Sequence, residues 1–113
     1  VLLAIFFAAS GEAAERGATL TDAFIAGLER VQQVGGARAG DRTMIDALQP
    51  ALTALPQGLA AAATAARTGA EATAQITRAG AGRASYVSAA NLEGHNDPGA
   101  EAVARLFERL ASD

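Results

Sequence analysis

Nowhere in this chain do apolar and polar residues alternate with the period of two that a half-buried strand requires; apolar residues instead recur at steps of three and four. In residues 19–34, Leu20, Phe24, Leu28, Val31 and Val34 fall on one helical face. Thr21 and Asp22 suit the first turn, and Gly35 and Gly36 the end. A second stripe, Met44, Leu48, Leu52 and Leu55, follows Asp41, which is placed to cap that helix. Pro50 sits inside the stripe, where it removes one backbone bond and predicts a bend, and residues 56–58 end the helix. Residues 59–78 are alanine-rich and free of proline, with Arg67, Glu71, Gln75 and Arg78 on one polar side. Asp97 followed by Pro98 marks the start of a last helix over residues 98–111, with Val103, Leu106, Phe107 and Leu110 facing inward. The expected fold is all-α, an antiparallel helix bundle joined by short turns.

At 113 residues the chain is expected to be a single domain or a piece of one. Half of it is apolar, but alanine dominates and aromatics are few, so helices are expected to approach closely through small side chains. A net charge of −3, with scattered arginines as the only strong cations, excludes a strong electrostatic pull toward nucleic acid. There are no cysteines, hence no disulfides and no thiolate ligands, and one histidine among dispersed acids predicts no metal site. The apolar run of residues 1–9 is shorter than the about 20 residues that cross a bilayer, and no basic segment precedes it as in a signal peptide. It reads as a core helix whose upstream portion has been cut away, closed by Ser10, Gly11 and Glu12 or by Gly17, with neighbours on every side. No membrane contact is expected.

Two glycine-rich connections separate these helices, over residues 35–41 and 79–99. In an up-and-down arrangement they lie at the same end and can share a site. The first reads Gly-Gly-Ala-Arg-Ala-Gly-Asp-Arg-Thr-Met, residues 35–44, in which glycines let backbone approach a ligand. The second contains Gly-Arg-Ala-Ser-Tyr, residues 82–86, and Gly-His-Asn-Asp-Pro-Gly-Ala, residues 94–100. Arg83 offers a planar donor fork suited to phosphate, although a loop arginine is more often simply solvated. His95 is read as a hydrogen-bonding or capping group, and Met44, on spacing alone, as core.

These segments, in this order and separation, resemble the signature segments in the C-terminal half of the dihydroxyacetone kinase nucleotide-binding domain, the L-type subunit or its fused equivalent. The resemblance covers essentially the whole chain. It implies about five helices of a larger eight-helix barrel, residues 1–113 being the C-terminal part of that domain. It also implies ATP or ADP held at one end through Gly35, Met44, Arg83, Asp97, Pro98 and Gly99. Met44 would floor the adenine and Arg83 would pair with phosphate oxygens. Asp97 would repel phosphate, so Asp97, Pro98 and Gly99 are expected at the sugar or base. The phosphoryl group would pass to a small ketose on a separate K-type domain, in the cytoplasm, with a phosphotransferase-system protein as a possible donor. The family's aspartate-rich segment for Mg2+ is absent here, so no catalytic or metal residue is assigned and this chain alone is expected to be inactive. An apolar flank is expected to stay exposed and to favour self-association. The alternative is a non-catalytic helical interaction or regulatory module derived from the same domain.

Overall fold

A computed structural model describes residues 2–36, 38, 40–76 and 94–112. Among them every regular element is helical, in keeping with the all-α expectation: α1 (Leu2–Glu15), α2 (Leu20–Gly35), α3 (Ile45–Ala54), α4 (Leu59–Ala72) and α5 (Pro98–Ser112). Short 3₁₀ turns, Leu55–Gln57 and Thr73–Gln75, follow α3 and α4.

The termini of α2 follow from their residues. Thr19 is extended and its hydroxyl accepts the N–H of Asp22 at 3.2 Å. Gly36, at φ 67°, returns its N–H to Gln32 and stops the helix. At α5 the expected start holds, because the Asp97 carboxylate accepts the Ala100 N–H at 3.0 Å one residue ahead of Pro98.

The core gathers Phe6 of α1, Phe24 and Val31 of α2, the inner stripe of α3, the small residues Ala62, Ala63, Ala66 and Ala70 of α4, and Val103 and Phe107 of α5. Phe6, Phe24 and Phe107 form a chain of ring contacts, 5.4 and 5.6 Å between centroids, that joins the α1–α2 pair to the rest. Alanines in α4 let α3 and α5 both come close. At Gly69 the approach is tightest, since any Cβ there would overlap the backbone oxygen of Asp46. That oxygen is the one that Pro50, lacking an N–H, leaves without its helical partner. Gly69 therefore turns a Cα hydrogen toward a carbonyl orphaned by Pro50, and α3 runs on through the proline.

Three expectations are corrected. The α2 stripe is buried only in its middle: Leu20 and Val34 are 48% and 55% exposed, because the ends of α2 reach past the helices that cover Phe24 and Val31. Along α1 only Phe6, Ser10 and Ala13 are buried and Phe7 is 47% exposed, so among the described residues this apolar helix has a neighbour on one side, α2. The alanine-rich helix stops at Ala72 and tightens into the 3₁₀ turn, short of residue 78, which lies outside the described residues.

The polar side of α4 is fixed to α5 by a charge cluster. Arg67 donates to both carboxylate oxygens of Glu101, at 2.6 and 3.1 Å, and to both of Glu108, at 3.0 and 2.9 Å, while Arg105 and Asn96 also donate to Glu101. Hydrogen bonds from Arg67, then from Asn96 and Arg105, hold the Glu101 carboxyl down to about 2 from an ordinary 4.5. A carboxyl depressed on folding stabilises the fold above its ordinary value, and that contribution disappears as pH falls from there toward the folded value. Glu101→Gln is therefore expected to cost about 1 kcal/mol at pH 6, after solvent screening. Urea unfolding of both proteins over pH 6 to 2 checks this: the gap should close toward pH 2, and a gap constant with pH contradicts it.

Candidate functional site

The loop between α2 and α3 changes direction through two left-handed residues, Gly40 at φ 94° and Arg42 at φ 60°. Arg42 is the single non-glycine residue of positive φ among the described residues. Such a conformation costs on the order of 1–3 kcal/mol and persists only where surrounding contacts over-determine it. Here the contacts are evident. The Arg42 side chain is turned inward, 2% exposed, and its Nε donates to the Thr73 carbonyl at 3.2 Å. One terminal nitrogen donates to the His95 carbonyl, and the other lies 3.7 Å from Asp97 Oδ1.

Thr73 and Asp97 complete the arrangement. The Thr73 hydroxyl accepts the Asp97 N–H at 2.7 Å and donates to the Ala70 carbonyl at 2.5 Å, and the Gly94 N–H donates to the Ala74 carbonyl at 2.9 Å. The end of α4, the start of α5 and the loop before α3 thus meet around one guanidinium. Burial pushes the Asp97 carboxyl above its ordinary value, against the opposing pull of the Ala100 N–H, the Arg42 charge and the Gly99 N–H.

Asp41 does not cap α3. Its carboxylate accepts the Arg38 N–H at 3.0 Å, because the left-handed residues on either side of it turn it back toward the loop. Asp46 does the closing instead, accepting Gly40 N–H at 2.5 Å and Thr43 N–H at 3.0 Å, while Thr43 Oγ1 accepts Ile45 N–H at 3.2 Å. Asp46 supplies one half of a capping box, reaching back to the Thr43 N–H, while the Thr43 hydroxyl takes the Ile45 N–H in place of that of residue 46; the Thr-x-x-Asp spacing of residues 43–46 carried that signal.

Of the residues expected to hold a nucleotide, Met44, Asp97 and Gly99 come together. Gly99 lies against Met44, so a Cβ on it would stand 3.2 Å from Met44 Cβ and 3.2 Å from Asp97 Oδ2. Met44 itself is 2% exposed and packs within the core cluster. Pro98 is exposed beside Gly99, and Gly35 is the last residue of α2. Arg83 lies outside the described residues, with Ser85 and Tyr86. Arg42, Thr73 and Asp46 were not singled out from sequence. Nothing in composition or periodicity separates a buried loop arginine from a solvated one.

A second feature is a shallow hollow of about 510 Å³ on the outer side of α3, lined by Asp46, Gln49, Pro50, Thr53, Ala54 and Gln57. Its lining carries one carboxylate and no cation, which suits a phosphate chain poorly. Among the described residues no group of acids and histidine could hold a metal ion, and no helix is long and apolar enough to cross a membrane.

An all-helical domain with glycine-rich turns gathered around a buried arginine, and a glycine–methionine contact beside a helix start, has clear relatives. The DAK2 domain family matches residues 1–112, and the chain belongs to that family. It is 52% identical over 114 residues to the dihydroxyacetone kinase of Citrobacter freundii, covering 98% of this chain and 21% of that protein. It is 38% identical to the ADP-binding subunit DhaL of a PEP-dependent dihydroxyacetone kinase of Listeria innocua, over 80% of this chain and 44% of that subunit. The crystal structure of the Citrobacter freundii kinase in its native form superposes with a TM-score of 0.76 at 46% identity, over 99% of this chain and 20% of that one. The same kinase in complex with AMP-PNP and Mg2+ gives 0.71 at 44% identity, over 99% and 19%. The chain thus spans about a fifth of the kinase and less than half of the separate subunit.

Proposed function

We propose that this chain is the C-terminal part of an L-type nucleotide-binding domain and contributes the base-and-sugar side of an ADP or ATP site in a dihydroxyacetone-type kinase. The observation that carries the reading is the junction of residues 40–44 with residues 94–100, where Gly99 rests on Met44 beside the capped start of α5. Two relatives support it by name, one an ADP-binding subunit and one a kinase in complex with AMP-PNP and Mg2+.

In this reading Gly35, Met44, Pro98 and Gly99 shape the base and sugar end, and Arg83 meets the phosphates. The Asp97 carboxylate is engaged by Arg42 and Ala100 and sits in the wall of the site, which agrees with keeping it away from phosphate oxygens. Mg2+, bound by residues of the domain outside this chain, would neutralise charge on the phosphates. Residues here would bind and orient the nucleotide. A K-type domain would hold the ketose, and a phosphotransferase-system protein is one possible donor. The exposed apolar side of α1 and α2, with Phe7 and Ile25, would be covered by the rest of the domain or by self-association.

Calorimetric titration of the chain with ADP, with and without Mg2+, tests this. Binding is expected in both cases with little gain from Mg2+, and no phosphoryl transfer to dihydroxyacetone when a K-type partner is added. Absence of ADP binding overturns the nucleotide reading and favours a purely helical interaction module; turnover by the chain alone overturns the division of labour.

A further inference from the structure

We infer that Arg42 is a positioning residue for the nucleotide site: buried among backbone carbonyls and the Asp97 carboxylate, it clamps the loop before α3 to the end of α4 and the start of α5, and so sets Met44 against Gly99. The inference rests on the nucleotide reading above and adds a residue to which that reading gives no role.

An arginine in a glycine-rich nucleotide loop invites assignment to the phosphates. The geometry points elsewhere. The guanidinium is 2% exposed and its edges are directed to the carbonyls of Thr73 and His95 and to the carboxylate of Asp97. Among the described residues, these partners come from both sides of the stretch between Ile76 and Gly94, so one side chain holds the places where the chain leaves α4 and where it returns to α5. The bonds from Asp97 N–H to Thr73 Oγ1 and from Gly94 N–H to Ala74 O close the same junction. Met44 follows Arg42 by two residues and Gly99 follows Asp97 by two, so the contact between them is fixed at both ends by the clamp. The left-handed backbone at Arg42 is the strain that this convergence sustains. Lysine cannot reproduce the arrangement. An ammonium carries one charge to Asp97 but lacks the planar fork that reaches the two carbonyls in different directions.

Met44 is the chain's single methionine, so its methyl group gives one unambiguous NMR signal for the position of the site. In Arg42→Lys, helix content is expected to remain, ADP affinity to fall about tenfold, and the Met44 methyl shift at ADP saturation to be smaller than in the parent. A variant that is merely less stable would reach the parent's shift once saturated, which separates positioning from general destabilisation. Should Arg42→Lys not fold, the parent supplies a second reading by hydrogen exchange. ADP should then protect the Gly94 and Asp97 amides more than those of α1, because coupling between clamp and site is reciprocal. Parental affinity and saturated shift in Arg42→Lys, or ADP protection no greater at Gly94 and Asp97 than along α1, overturns the clamp alone. A parent whose Met44 signal ignores ADP overturns the nucleotide reading together with it.

Discussion

Arg42→Met is expected to destabilise the fold by about 3–5 kcal/mol, the largest effect of any single substitution considered. Methionine fills much of the same volume, so the cost arises from what remains behind. The Asp97 carboxylate stays buried without its cation, and the Thr73 carbonyl loses a donor in a place that water reaches poorly, as the part-buried His95 carbonyl loses one beside it. The left-handed turn at residue 42 also loses the contacts that hold it. The deficit should depend on pH in a defined direction. Asp97 already has a raised carboxyl, and removing Arg42 takes away one of the influences that lower it. A carboxyl raised on folding contributes stability that is fully present below its unfolded value and is lost as pH rises through the folded one. The gap between Arg42→Met and the parent, read from urea midpoints, is therefore expected to be smaller at pH 4 than at pH 7. An equal gap at both would mean that the buried carboxylate is not its source.

Gly69→Ala is the second. Alanine ordinarily improves a helix interior by up to about 1 kcal/mol over glycine. Here the added methyl would overlap the Asp46 carbonyl, a backbone atom that moves only if α3 and α4 separate. Overpacking of this kind costs about 1–3 kcal/mol, occasionally more. The net expectation is a loss of about 2 kcal/mol, or roughly 8 °C in Tm for a domain of this size. The dependence on Pro50 can be read directly: Pro50→Ala restores an N–H for the Asp46 carbonyl but does not widen the contact, so it should not rescue Gly69→Ala. A stabilised Gly69→Ala protein, in a thermal melt, would mean that the helices are not pressed together at this point.

Which features were legible in the sequence follows from the range of the forces involved. Helix class, the Gly36 stop and the Asp97–Pro98 start depend on neighbours within one turn, and residue order displays them directly. The two signature segments carried the family for the same reason. Asp41 misled because an acid ahead of an apolar stripe is a sound local signal, yet the left-handed residues at 40 and 42 delay the helix to Ile45 and hand the closing role to Asp46. Exposure of Leu20 and Val34 depends on how far neighbouring helices reach, which periodicity does not encode. Arg42, Thr73 and Asp97 are separated by 31 and 24 residues along the chain, so their convergence is a property of helix packing. The pairing of Gly69 with the carbonyl that Pro50 orphans was hidden in the same way.

On the proposed reading, an adenine nucleotide sits where residues 40–44 meet the start of α5. Mapping amide shifts of the isotope-labelled chain during ADP titration tests it most directly. The largest changes are expected at residues 40–44 and 94–100, with residues around the outer hollow, Gln49, Thr53 and Gln57, little affected. Changes concentrated in that hollow or along α1, with Met44 and Gly99 silent, would contradict the account.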